Sequence, residues 1–204
     1  MKRFAAMLLA LCLPLSACAE IVGITPDGDY IHRMEAKNGQ SLYFTGMDEE
    51  PSLQYADVNF DGAEDAVVLT TRGASNFVYQ LFLWDGTQYV NSGLAVVNYT
   101  LHPEQKLLES DANDGWAVRT RKLYRFEDGK PVLVRIASSA EKTEVTFTED
   151  GWEQYTSNTT VTFSVEVVED GNTKRIWEQD VALADETAYN EAEKTQQQLL
   201  WQGL

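Results

Sequence analysis

The sequence predicts an all-β protein: an antiparallel hairpin meander of propeller-like form, or alternatively a sandwich, with one C-terminal helix. Three observations predict it. Asp-Gly pairs punctuate the chain at Asp27-Gly28, Asp61-Gly62, Asp85-Gly86, Asp128-Gly129, Asp150-Gly151 and Asp170-Gly171. Such pairs between apolar runs signal hairpins, because tight turns need the positive φ these residues tolerate. Val161, Phe163, Val165 and Val167 alternate with Thr160, Thr162, Ser164 and Glu166, the period of a half-buried strand. Finally, 5 Trp, 9 Tyr and 8 Phe tilt the composition toward strands. No strict repeat marks equal blades, and no long Gly/Ser/Pro linker divides residues 19–204, so they read as one domain.

Taken from the N-terminus, Met1-Lys2-Arg3 is a basic start followed by an apolar run from Phe4 to Leu15. That run is shorter than the ~20 residues a membrane-spanning helix needs and has the length of an export-signal core. Residues 1–18 are therefore expected to be an export signal. Leu15-Ser16-Ala17-Cys18 resembles the bacterial lipobox, in which the cysteine is lipidated. Ala17-Cys18-Ala19 also satisfies the small-x-small rule for ordinary cleavage, and both outcomes stay open. Either route predicts a periplasmic protein, and lipidation of Cys18 predicts an anchor in the outer membrane. Cleavage removes Cys12, so no disulfide is expected and stability must come from core burial.

Four hairpins follow from the Asp-Gly turns. Phe77–Trp84 is apolar on both faces, as a central strand should be, and returns through Gln88–Val90. Leu123–Phe126 turns into Val132–Ile136, Glu144–Thr148 toward Trp152–Tyr155, and Thr160–Val168 into Lys174–Trp177. Glu104–Glu109 reads as a short helical or extended connector. Arg119 and Arg121 fall on one face of a strand, where they balance neighbouring acids. Asp185 is placed to cap a helix over about 186–201. Its apolar stripe of Ala188, Tyr189, Ala192, Leu199 and Leu200 is thin, which predicts shallow docking.

Composition bounds the function. The chain has 204 residues, is 44 % hydrophobic and carries a formal charge of −16. Its apolar content is enough to build a core, and its acidity argues against nucleic acid, whose phosphates need a basic footprint. The most specific segment is Asp57-Val58-Asn59-Phe60-Asp61-Gly62-Ala63-Glu64-Asp65. Side-chain oxygens stand at loop positions 1, 3, 5 and 9, a carbonyl is available at position 7, and Gly62 at position 6 allows a sharp turn. This spacing wraps hard oxygen ligands around Ca²⁺. The expected ligands are Asp57, Asn59, Asp61, the Ala63 carbonyl and Asp65, whose carboxylates would repel one another without a cation. Position 12 is Val68 rather than the bidentate Glu of a helical hand, and Ala66–Leu69 reads as a strand.

The segment Asn59-Phe60-Asp61-Gly62-x-x-Asp65, then Gly73, Asn76 and Tyr79, then Leu81-Phe82-Leu83-Trp84, resembles a family of bacterial periplasmic FG-GAP-like proteins. That family includes an immunity protein of an antibacterial type IV secretion system and resembles periplasmic lysozyme inhibitors. The motif-level likeness covers roughly residues 53–85. It implies a Ca²⁺-containing propeller-like fold and a loop that enters the cleft of a lysozyme-like peptidoglycan hydrolase. Gly73, Ser75, Asn76 and Tyr79 are the partner-binding loop so implied, although no Gly follows Ser75 as in the Ser-Gly-x-x-Tyr pattern of lysozyme inhibitors. An acidic inhibitor would also be steered toward a cationic hydrolase.

His32 and His102 are far apart in sequence and read as ordinary surface or turn residues. No nucleophile elbow, phosphate loop or dinucleotide fingerprint is present in the sequence. The expectation is therefore not an enzyme but an exported, calcium-binding protein that binds and inhibits a lysozyme-like hydrolase. The alternative is a structural or adhesion-type envelope protein that binds peptidoglycan or a protein partner without inhibition.

Overall fold

Side-chain alternation along the strands sorts this chain into stacked layers. The computed structural model describes residues 18–204, apart from positions 116, 148 and 152 and the side chains of 143–148 and 152–159. The export-signal reading of residues 1–17 lies outside the described residues.

Among the described residues, each of three antiparallel sheets is a meander of sequential neighbours. The first contains β1 (Ile21–Gly28), β2 (Ile31–Ala36) and β3 (Ser41–Thr45). The second contains β4 (Ser52–Ala56), β5 (Asp65–Arg72), β6 (Phe77–Trp84) and β7 (Tyr89–Val97). The third runs from β8 (Thr100–His102) through β9 (Leu107–Gly115), β10 (Val118–Glu127), β11 (Lys130–Phe147) and β12 (Glu153–Glu169) to β13 (Asn172–Ala182). Helix α1 (Glu186–Trp201) closes the chain. The all-β class with a C-terminal helix is thus borne out. A regular propeller repeats four-stranded sheets around an axis; sheets of three, four and six strands instead give a layered, sandwich-like arrangement.

Strand parity explains the stacking. On β5 and β6, Ala66, Val68, Phe82 and Trp84 face one way and pack with Met34, Ala36 and Phe44 of the first sheet. Their neighbours Val67, Leu81 and Leu83 face the other way and pack with Leu108 and Tyr124 of the third. The second sheet is therefore buried on both faces, which is why Phe77–Trp84 lacks a polar alternation. On β9 and β10 the opposite parity, Leu107 and Leu123, joins Ala137, Val165 and Leu200 beneath α1. Each such fully buried aliphatic side chain contributes roughly 1.5–3 kcal/mol.

Several expectations need correction. Val132–Ile136 and Glu144–Phe147 belong to one 18-residue strand, β11, with a register shift between Glu141 and Thr143; Thr148 and Trp152 of the expected hairpin lie outside the described residues. The strand expected over Thr160–Val168 begins at Glu153. Glu104–Glu109 is not a connector throughout, because Leu107, Leu108 and Glu109 are buried at the start of β9. His32 is buried opposite Phe44 and stacks on its ring, centroids 5.3 Å apart. His102 lies in β8, contacts Glu109 and packs edge-on to Trp201. The helix is capped as expected, with Asp185 Oδ1 accepting from the Ala188 N–H at 3.0 Å. Its docking is deeper than the apolar stripe implies. Gln196 is buried between the elements and donates to the Ser138 and Ser164 carbonyls.

Candidate functional site

The loop between β4 and β5 is folded by its own side chains. Asp57 accepts from the N–H groups of Asp61 (3.0 Å) and Gly62 (2.9 Å), one on each carboxylate oxygen. Asn59 Oδ1 accepts from the Asp61 N–H at 3.0 Å, and Asp61 Oδ1 from the Ala63 N–H at 2.8 Å. Asn59 Nδ2 also donates to Asp61 Oδ2. These overlapping Asx turns pull the backbone into a tight coil. Phe60 (φ 62°) and Gly62 (φ 92°) both take the left-handed conformation. A Cβ on Gly62 would meet nothing within 4 Å, so its dihedral, not space, is what requires glycine there.

Asp65 behaves differently from the other three. It is fully buried at the first position of β5, with Oδ2 accepting from the Val58 N–H (3.0 Å) and Oδ1 from the Trp84 N–H (2.8 Å). One carboxylate thereby ties the start of the loop to the end of β6. Burial pushes its carboxyl up to about 6; the Trp84 and Val58 amides pull it down, and the charges of Asp61 and Asp57 push it further up. The structure brings Asp57, Asn59 and Asp61 into one turn system and turns Asp65 inward beside them. Ala63 packs against the first core. Among the described residues no three His, Cys, Asp or Glu side chains gather as a metal-holding group. The donors of the loop are all oxygens, and its buried carboxylate has no cationic partner among the described residues. In donor chemistry the loop fits a hard divalent cation.

The tip between β5 and β6 is held from outside. Asn76 Nδ2 donates to the Asn113 carbonyl (3.0 Å) while Asn76 Oδ1 accepts from the Asn113 N–H (2.8 Å), a side chain imitating a paired strand. Ser75 Oγ donates to the same carbonyl. Asn98 adds a second tie, accepting from the Phe77 N–H and donating to the Ser75 and Asp111 carbonyls. Gly73 donates to the Asn76 carbonyl, and a Cβ there would lie 3.0 Å from that oxygen. The tip is the rigid polar loop the sequence suggested, but the Ser75 and Asn76 side chains are spent on Asn113. Tyr79 is not at the tip; it sits within β6, its ring edge-on to Tyr99 at 4.9 Å. Sequence reasoning missed Asn98 and Asn113. An asparagine between strands is a turn signal, but nothing local marks a partner 37 residues away.

Cys18 is partly buried and packs against the first core. The segment after it is held by Tyr89, whose hydroxyl donates to the Ala19 carbonyl, and by Tyr55, whose hydroxyl accepts from the Ile21 N–H. The Tyr89 phenol is held above its ordinary range, first by burial and then by the Cys18 thiol.

No family model matches the chain, and no curated protein matches it. Among solved structures, "Structure of a Xanthomonas Type IV Secretion System related protein" aligns over 76% of this chain and 86% of that one, at 15% identity. The TM-score is 0.43, too low for the likeness to carry an argument about this chain.

Proposed function

We propose that this chain is an exported, calcium-binding β protein that acts by binding, and thereby blocks a lysozyme-like peptidoglycan hydrolase in the periplasm. The observation that carries the reading is the loop of overlapping Asx turns, with Asp65 buried and lacking a counter-charge. Ca²⁺ would be held by Asp57, Asn59, Asp61, the Ala63 carbonyl and the remaining lone pairs of Asp65. Bound there, it would supply the positive charge that these carboxylates lack, and so stiffen the junction between β4, β5 and β6. The tip at Gly73, Ser75 and Asn76 supports a blocking role because its backbone is already ordered. A rigid loop loses little entropy when it enters a cleft. The acidic surface supports fast encounter with a cationic hydrolase. With Cys18 lipidated, its short reach to the first core would hold the domain close to the outer membrane.

Two measurements test this. Calorimetric titration with CaCl₂ should show one saturable site, and the melting temperature should rise in Ca²⁺ relative to EDTA. Asp61→Ala should lose both effects; identical melting of the unmutated protein in EDTA and Ca²⁺ removes the metal reading. Excess protein should then slow lysis of cell-wall suspensions by a muramidase, with a stoichiometric complex on gel filtration. Unslowed lysis across several lysozyme types removes the hydrolase reading in favour of the envelope-protein alternative, which pull-down with peptidoglycan tests directly.

A further inference from the structure

On the helix side of the third sheet, one face changes character along a line. Beneath α1 it is apolar, carrying Leu107, Leu123, Ala137 and Val165. Continuing along the same registers, Asp111 and Arg121 pair across β9 and β10, and Asn113 and Ser139 lie opposite Arg119. These residues floor a groove of about 660 Å³, walled on one side by α1 and rimmed on the other by Ser75 and Asn98. That volume falls among small-ligand sites.

The charges of its floor are already paired, and Lys194 of α1 lines the wall above them. Arg119 makes two bonds to Asp111, at 2.8 and 2.5 Å, and lies 3.9 Å from Glu193 of α1. Arg121 bonds Glu109 at 2.6 and 2.5 Å through Nε and Nη2, and also donates to Gln197 of α1. The second oxygen of Glu109 meets His102 Nε2 at 2.9 Å. Each guanidinium therefore bridges β9 and α1, and its rotamer is fixed before any ligand arrives. An anion on this floor would have to displace an internal carboxylate, and an apolar ligand would find little apolar wall. What remains are planar polar groups, the Asn113 and Asn190 amides and the Tyr189 ring. Tyr189 is oriented by an edge-on contact with Phe163, centroids 5.0 Å apart.

We propose that this groove binds a neutral oligosaccharide, whose hydroxyls match the paired charges and amides and whose ring face can lie on Tyr189. The site is separate from the cation loop and needs no hydrolase, so it stands or falls independently of the proposed function. The test is an NMR titration of the purified protein with chitotetraose, maltotetraose and tetragalacturonate, each up to about 10 mM. At least one neutral tetrasaccharide should shift resonances of residues lining the groove. Asn190 is exposed on α1, so Asn190→Ala, which removes the amide without adding a ring, should keep the fold and Ca²⁺ response while weakening binding by about threefold to tenfold. No shift with either neutral sugar overturns the proposal. So does equal or tighter binding by the Asn190→Ala variant, or tetragalacturonate binding more tightly than both neutral sugars, which would mark an anion site.

Discussion

Replacing Asp65 by Asn keeps the side-chain shape and removes the charge, so it isolates what the buried carboxylate does. In the unmutated protein without a cation, a carboxyl at about 6 rather than 3.8 means that keeping the charge at neutral pH costs on the order of 3 kcal/mol. Against that cost stand two amide bonds, from Val58 and Trp84. An Asn side chain can accept only one of them and turns its own NH₂ toward the other, leaving a buried donor unsatisfied at about 1–3 kcal/mol. The terms oppose, so at pH 7 in EDTA the two proteins should differ by no more than about 2 kcal/mol. Their pH dependences should diverge. Because the folded carboxyl titrates above the unfolded one, the folded state takes up the proton first as pH falls. Acidification therefore stabilises the unmutated protein, the gain starting near pH 6 and complete below about 4. The Asp65→Asn variant has no proton to take up at this position. Urea unfolding from pH 7 to 4 in EDTA should show the stability difference moving by about 3 kcal/mol in favour of the unmutated protein. Parallel profiles for the two proteins would refute the reasoning. Saturating Ca²⁺ should hold Asp65 ionised and reverse the slope, because protons then compete with the ion.

Other perturbations test the scaffold. Asn76→Ala removes the reciprocal bonds to Asn113 and should cost about 1–2 kcal/mol in urea unfolding. Gln196→Leu makes the helix more apolar yet strands the buried carbonyls of Ser138 and Ser164; stability should fall by about 1–3 kcal/mol, and a rise would discredit the deep-docking account. A Cβ on Gly46 would lie 2.6 Å from the Thr70 carbonyl oxygen, so Gly46→Ala should lower stability by about 1–3 kcal/mol. Asp185→Ala removes the helix cap and should cost about 1 kcal/mol.

The sequence by itself determined what is local. Asp-Gly pairs placed the hairpins at 128–129 and 170–171, two-residue turns decided by the positive φ their own residues tolerate, and marked the four-residue connection over 85–88 through Gly86. The cap at Asp185 and the helix over 186–201 were legible for the same reason, as was the oxygen spacing from Asp57 to Asp65. The tertiary structure decided which layer each face met. It made β11 and β12 long continuous strands, buried His32 against Phe44, and sank Gln196 where the helical pattern shows only a polar residue. It turned Asp65 inward to Val58 and Trp84, and spent Asn76 on Asn113. It also left a polar groove between α1 and the third sheet. Each of these depends on pairing between residues far apart in the chain. A hydrogen bond or a packed face is set by the partner as much as by the residue, and local pattern carries no record of a distant partner.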